Sequence, residues 1–185
     1  MKKKRILLII TGSIAAYKSI YLIRLLKDAG FELNCITTQS AEKFITHLTV
    51  SSLTGNKVYN DLFSLDDELE MGHIKLAKEN DLILVAPASA NFVSKISHGL
   101  ADDLASSVML ASNTPTFIFP AMNSNMLNNF FTKKNFIRLK KAGIKIFETN
   151  PGELACGDVG PGRMKEPKEI LTITKEFFQE KNTLF

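Results

Sequence analysis

The chain has 185 residues, 45% of them hydrophobic and 23% charged, a balance that excludes a disordered chain, a collagen and a coiled coil. The formal net charge of +4 is too mild to point to nucleic acid, and no basic stripe interleaved with aromatics occurs. At this length one domain is expected, residues 1–185, with a core that needs no staples.

The opening run Lys2-Lys3-Lys4-Arg5 reads as a solvated chain end before the first strand. No apolar run reaches the roughly 18 residues that a membrane span needs, and the apolar stretch after Arg5 is too short for a signal-peptide core. Two cysteines, Cys35 and Cys156, make no disulfide framework, so a cytoplasmic protein with reduced thiols is expected.

Short apolar runs alternate with amphipathic stretches along the chain. Residues 5–10 (RILLII) read as a strand buried on both faces. Residues 14–29 carry apolar side chains at helical spacing and stop at Gly30. A second strand is expected at 31–37 and a helix at 41–53, closed by Gly55. Residues 58–71 are irregular and acidic, with Val58 in a candidate extra strand. A short helix is expected at 73–80. The run 81–86 (DLILVA) is a buried strand ended by Pro87, followed by helices at 89–97 and 102–111. Residues 116–119 (TFIF) form a strand stopped by Pro120. Helices follow at 125–131, capped by Asn123, and at 135–142, and a further strand at 144–147. Residues 150–165 are rich in Gly and Pro without periodicity, and Pro167 opens a closing helix to 178. Strands alternating with helices predict an α/β fold, a doubly wound and mostly parallel sheet with helices on both faces.

In such a sheet ligands bind beyond the C-terminal strand ends. The four loops there are Thr11-Gly12-Ser13, Thr37-Thr38-Gln39-Ser40, Pro87-Ala88-Ser89-Ala90-Asn91 and Pro120-Ala121-Met122-Asn123. They offer hydroxyls, amides and small residues with almost no charge. They fit a neutral ligand face, or a phosphate held by N–H groups where Gly12-Ser13 opens a helix; a Gly-Ser there also serves as a plain tight turn. No dinucleotide fingerprint and no P-loop is present.

Three residues stand out. His73 precedes a short helix, where a lone histidine is a surface group, a cap or a catalytic base. Cys156 lies in a Gly-rich loop, either as a reactive or as an idle thiol. Asn123 is a helix cap or a ligand-binding amide. Cys35 on its apolar strand reads as structural, and His47 and His98 as ordinary helix residues. No set has metal-ligand spacing, so no metal is expected.

Five stretches occur in order: Gly12-Ser13-Ile14-Ala15-Ala16-Tyr17-Lys18, Met71-Gly72-His73-Ile74, Pro87-Ala88-Ser89-Ala90-Asn91, Pro120-Ala121-Met122-Asn123-Ser124-Asn125-Met126 and Ala155-Cys156-Gly157. From Arg5 to the last helix the chain resembles the homo-oligomeric flavin-containing cysteine decarboxylases. The resemblance implies a Rossmann- or flavodoxin-like FMN protein that assembles as trimers or multiples of trimers. It implies FMN contacts from Gly12, Ser13, Ile14, Thr38, Ser40, Ser89, Ala90, Asn91, Phe92 and Ala121. It makes His73 the active-site histidine, Asn123 the group that binds the substrate carboxylate and Cys156 a proton donor on a closing loop. Glu153, Ala155 and Met164 then line the substrate side.

The implied reaction converts 4′-phosphopantothenoylcysteine to 4′-phosphopantetheine through a thioaldehyde and an ene-thiol, in coenzyme A synthesis. In many bacteria this domain is fused to a synthetase domain that makes the substrate, so the resemblance leaves either a stand-alone decarboxylase, with a synthetase on a separate chain as partner, or an isolated domain. Two positions depart from the family pattern, Leu127 and Phe92. The alternatives are a flavin prenyltransferase, a flavin-binding phosphatase-regulatory subunit and a peptide-cysteine decarboxylase. The Asn123 and Cys156 motifs weigh against the first. The lack of an acidic tail weighs against the second, and the Ala-Cys-Gly loop against the third.

Overall fold

A computed structural model describes residues 3–62 and 72–183. Six strands form one parallel sheet: β1 (Arg5–Ile10), β2 (Glu32–Thr37), β3 (Val58–Tyr59), β4 (Leu82–Ala88), β5 (Thr116–Pro120) and β6 (Lys145–Ile146), in the order β3-β2-β1-β4-β5-β6. Every β1 side chain from Ile6 to Ile10 is fully buried. Strand geometry sends alternate residues to opposite faces. Ile6, Leu8 and Ile10 therefore pack with α1 (Ala16–Asp28), α2 (His47–Thr54) and α8 (Pro167–Thr183), while Leu7 and Ile9 pack with α3 (Gly72–Lys78), α4 (Ala90–Ser97), α5 (Leu104–Ala111) and α7 (Phe130–Lys141). This is the doubly wound architecture expected of an unbroken apolar run. The chain leaves β1 toward β2 on one side and returns to β4 on the other. The crevice above β1 and β4 is thus the topological switch point.

Several boundaries differ from the expectations. The helix expected at 41–53 is a 3₁₀ turn at Ala41–Lys43 followed by α2, because the Thr46 hydroxyl caps a new start by accepting from the Thr49 N–H at 3.2 Å. The helices expected at 125–131 and 135–142 are α6 (Ser124–Asn128) and α7; Asn129 breaks them by accepting from the Phe131 N–H at 2.9 Å. Pro87 lies inside β4 instead of ending it, whereas Pro120 is the last residue of β5. The Pro87 carbonyl is used, accepting from the Thr11 hydroxyl at 2.8 Å. Of the basic opening run, Lys2 lies outside the described residues and Lys3 is exposed. Arg5 is fastened, its guanidinium 3.2 Å from Glu79 and its N–H 2.8 Å from Asp81. Most of the acidic stretch expected at 58–71 lies outside the described residues, and Val58 does open β3.

The largest difference is at 150–165, expected to lack strands. It forms an antiparallel hairpin, β7 (Asn150–Glu153) and β8 (Val159–Arg163), with Cys156 at its tip. Its sequences NPGE and VGPGR carry no alternation. Backbone pairing and docking on a neighbouring turn hold it instead. No helix among the described residues is long and apolar enough to cross a membrane.

Candidate functional site

The four polar loops converge at the switch point and are wired to one another. The Ser89 N–H donates to the Thr11 hydroxyl at 2.8 Å, the Ala121 N–H to the Ala88 carbonyl at 3.0 Å, and the Thr38 N–H to the Ile10 carbonyl at 3.1 Å. A Cβ added at Gly12 would lie 2.4 Å from the Ser40 Cβ. Only glycine lets the first two loops close on each other.

Above this floor lies a cavity of about 530 Å³ that reaches Thr11, Gly12, Thr38, Ser40, Ser89, Asn91 and Phe92. Among the described residues the N–H groups of Gly12, Ser13 and Ile14 meet no acceptor, which leaves unspent donors where α1 begins. An uncharged floor and unspent donors suit a flat polar ring bearing an anionic phosphate. FMN has that chemistry, and the residues present fit it.

Reading the four loops alone missed the charged rim of this cavity. Glu42, Asp61, Asp102, Asp103 and Lys95 line it from neighbouring segments. Lys95 Nζ sits 2.7 Å from Asp102 and 3.1 Å from Asp103. The hydrogen bond to Asp102 is the main cause that holds the ammonium above its ordinary value; burial opposes and Asp103 adds. Burial alone would raise the Asp103 carboxyl, but the Ser106 N–H and hydroxyl, with Lys95, hold it below its ordinary value. Asp103 and Ser106 form a capping box at α5. The Asp-Asp pair before an apolar helical run was the available signal. His47, read as an ordinary helix residue, lies 2.8 Å from the Thr37 hydroxyl and 2.9 Å from Glu42 behind the same rim. Among the described residues the His98 ring bonds only within its own helix end, to Ser94 and Ser97.

A second cavity of about 560 Å³ adjoins the first where Gly12 passes to Ser13. It brings together Ser13, Ile14, Ala121, Asn123, Glu153, Ala155, Cys156 and Met164. Residues leading into α1, from the turn after β5 and from the hairpin and its end thus meet, although up to 151 positions separate them in sequence. Asn123 spends its Oδ1 on the Met126 N–H at 2.8 Å, which leaves its Nδ2 donor for the cavity. The Cys156 thiol is exposed and donates to Asp158 Oδ2 at 3.3 Å. Cys35, by contrast, is buried in the sheet, and burial pushes its thiol up to about 12.

The expected site residues divide accordingly. Ser13, Ile14 and Ala121 border the second cavity, whereas the other expected flavin contacts, Ala90 apart, border the first. Ala90 opens α4, and Ser89 caps it by accepting from the Phe92 N–H at 3.3 Å. Phe92 and Met164 point into the core, at 2% and 0% exposure. His73 lies in the first turn of α3, and its side chain lies outside the described residues. Among the described residues no cluster of His, Cys, Asp and Glu has the makings of a metal site.

The chain is similar to known proteins. The family model described as Flavoprotein matches residues 1–179. The coenzyme A biosynthesis bifunctional protein CoaBC of Haemophilus influenzae is 46% identical over 181 residues, 98% of this chain and 45% of that protein. CoaBC of Escherichia coli K12 is 38% identical over 181 residues, again 98% and 45%. The chain spans about half the length of the curated relatives it matches. Among solved structures, a mutant PPC decarboxylase complexed with pantothenoylaminoethenethiol superposes with a TM-score of 0.84 at 32% identity, covering 96% of this chain and 100% of that one. The FMN binding protein AtHal3 superposes at 0.81 and 32% identity, covering 97% and 98%. A polar floor at the switch point, an adjoining cavity under a cysteine hairpin and a match over residues 1–179 lead to one assignment: the chain belongs to the Flavoprotein family.

Proposed function

We propose that this chain is an FMN-dependent decarboxylase that converts 4′-phosphopantothenoylcysteine to 4′-phosphopantetheine in the cytoplasm, as a single domain over residues 1–185. One observation carries the reading: Asn123 and Cys156 face one cavity that opens directly onto the uncharged loop floor.

Gly12, Ser13, Ile14, Thr38, Ser40, Ser89, Ala90, Asn91, Phe92 and Ala121 hold the flavin in this reading. FMN, when bound, supplies a reversible two-electron sink next to the substrate's sulfur-bearing carbon. The chain's residues supply the rest. The Nδ2 of Asn123 holds the substrate carboxylate without a fixed cation that would resist its departure as CO₂. Glu153 and Ala155 form the substrate side of the hairpin, and the buried Met164 just after it completes the lining. The hairpin covers the site and limits water. Cys156 Sγ–H gives a proton to carbon after CO₂ has gone, and Asp158, its hydrogen-bond partner, aims the thiol. His73 orients the substrate or moves a proton near neutral pH.

The reading includes a homotrimer or a multiple of it. Ile14 and Tyr17, at 57% and 61% exposure, stand at the mouth of the second cavity and support a covering subunit there. A synthetase that makes the substrate is the companion activity. The test is direct. Purified protein should be yellow, release FMN on denaturation and liberate CO₂ from 4′-phosphopantothenoylcysteine. Colourless protein that ignores added FMN, or yellow protein that liberates no CO₂, refutes the reading.

A further inference from the structure

Two cations line the second cavity, Lys18 and Arg163, and they are not equivalent. Lys18 is consumed: its Nζ lies 2.6 Å from Glu166 Oε1 and 3.4 Å from the Met164 carbonyl, with the side chain 8% exposed. Arg163 makes one long bond, Nη2 to the same Glu166 oxygen at 3.4 Å, and its side chain is 41% exposed. Among the described residues no other acceptor meets its guanidinium. Most of its donor fork is unspent.

The fork is also held in place. Gly152, on the opposing strand, has φ of +147°, and a Cβ there would lie 2.5 Å from Arg163 Nη1. The bare glycine leaves a slot across the hairpin, and the guanidinium lies in it. The result is a planar donor group, preset on the same hairpin as Cys156 and within the same cavity.

A planar fork with free N–H groups matches a phosphate bidentately. We propose that Arg163 receives the substrate's phosphate and so makes the site select the phosphorylated over the dephosphorylated compound. The inference rests on the decarboxylase reading and adds the anion subsite to it. The two anionic ends of the substrate then have partners suited to their fates. A neutral amide, Asn123, meets the carboxylate that must leave. A fixed cation meets the phosphate, whose charge does not change during the reaction. Binding of an unchanging group acts equally on ground and transition states, so its loss raises KM and spares kcat.

The experiment compares 4′-phosphopantothenoylcysteine with pantothenoylcysteine as substrates of the yellow holoprotein. The parent should prefer the phosphorylated compound. In Arg163→Gln the ratio of the two kcat/KM values should fall about 10- to 100-fold, the range of a lost charge-assisted hydrogen-bonded contact, through KM for the phosphorylated substrate. Arg163→Lys should keep part of the preference, because a point charge remains without the fork. Flavin absorbance and melting temperature verify that each variant is folded. An unchanged ratio in Arg163→Gln overturns the inference, as does a parent that decarboxylates both compounds equally. A parent that decarboxylates neither removes the decarboxylase reading, and this inference with it.

Discussion

The hydroxyl of Ser124 donates to the carbonyl of Pro161 across 2.7 Å. That bond, with the Met122 N–H on the Gly162 carbonyl at 3.1 Å, joins the turn that carries Asn123 to the hairpin that carries Cys156. The root of the hairpin is tied elsewhere too, since Asn150 Nδ2 lies 2.5 Å from Glu169 on α8. The base of the hairpin is therefore fixed, and among the described residues the hydrogen bonds of its tip run within the tip itself. Ser124→Ala removes one hydrogen bond of about 0.5–1.5 kcal/mol, equivalent to a severalfold rise in the detached population. Hydrogen exchange of the Met122 N–H, whose acceptor is the hairpin's Gly162 carbonyl, should accelerate by that factor, and Ser124→Thr should restore the parent rate. An unaltered rate in the alanine variant would mean that the bond does not restrain the hairpin.

The two cysteines should differ sharply in reactivity. Cys35 is buried, with its thiol pushed up to about 12, whereas Cys156 is exposed. Only the thiolate is nucleophilic. Between pH 7 and pH 9, roughly the range below that value, iodoacetamide should label Cys156 alone. Peptide mapping by mass spectrometry that finds Cys35 labelled in folded protein would show that the strand opens.

Much of the fold was legible because its signals are local. RILLII and DLILVA are too apolar for a half-exposed strand, and both are buried on two faces. The convergence of the four loops followed from the topology those strands imply. The hairpin was not legible, because a ladder of Asn, Pro, Gly and Glu has no apolar alternation and depends on contacts with residues 122–124. The break at Asn129 was hidden for a related reason: an asparagine inside an apolar periodic run reads equally as a helix residue or as a cap. The charged rim escaped because Glu42, Asp61 and Lys95 lie outside the four strand-end loops and reach the cavity only through folding.

Asp103 should contribute pH-dependent stability. Its carboxylate accepts from the Ser106 N–H at 2.8 Å and meets Lys95 at 3.1 Å. Asp103→Ala should cost about 1 kcal/mol at neutral pH, the usual value of an N-cap. The folded carboxyl titrates below its ordinary value of 3.8. The contribution is thus complete above that value and disappears as pH falls through the lower, folded one. Urea titrations of parent and variant should differ at pH 7 and converge in strong acid. A difference that persists unchanged in acid would rule out the charged cap.

Gly12→Ala tests the cofactor floor. Its new methyl would lie 2.4 Å from the Ser40 Cβ, so the first two loops must part. Overpacking of this kind costs roughly 1–3 kcal/mol. FMN affinity, read from quenching of flavin fluorescence, should drop roughly 2- to 12-fold if half of that cost falls on the bound state. Undiminished affinity would place the flavin away from these loops.

The central claim concerns what Cys156 and Asn123 do to one substrate, and product mass tests it most directly. Parent protein given 4′-phosphopantothenoylcysteine should yield the substrate less CO₂. Cys156→Ser keeps the shape of the side chain but offers a far weaker acid. It should lose CO₂ once per flavin and stall on a product two hydrogens lighter, the ene-thiol. Asn123→Asp sets a charge against the substrate carboxylate and should leave the substrate intact. If instead Cys156→Ser turns over to the same product as the parent at the parent's rate, the thiol is not the proton donor and the assignment of the cysteine hairpin is wrong.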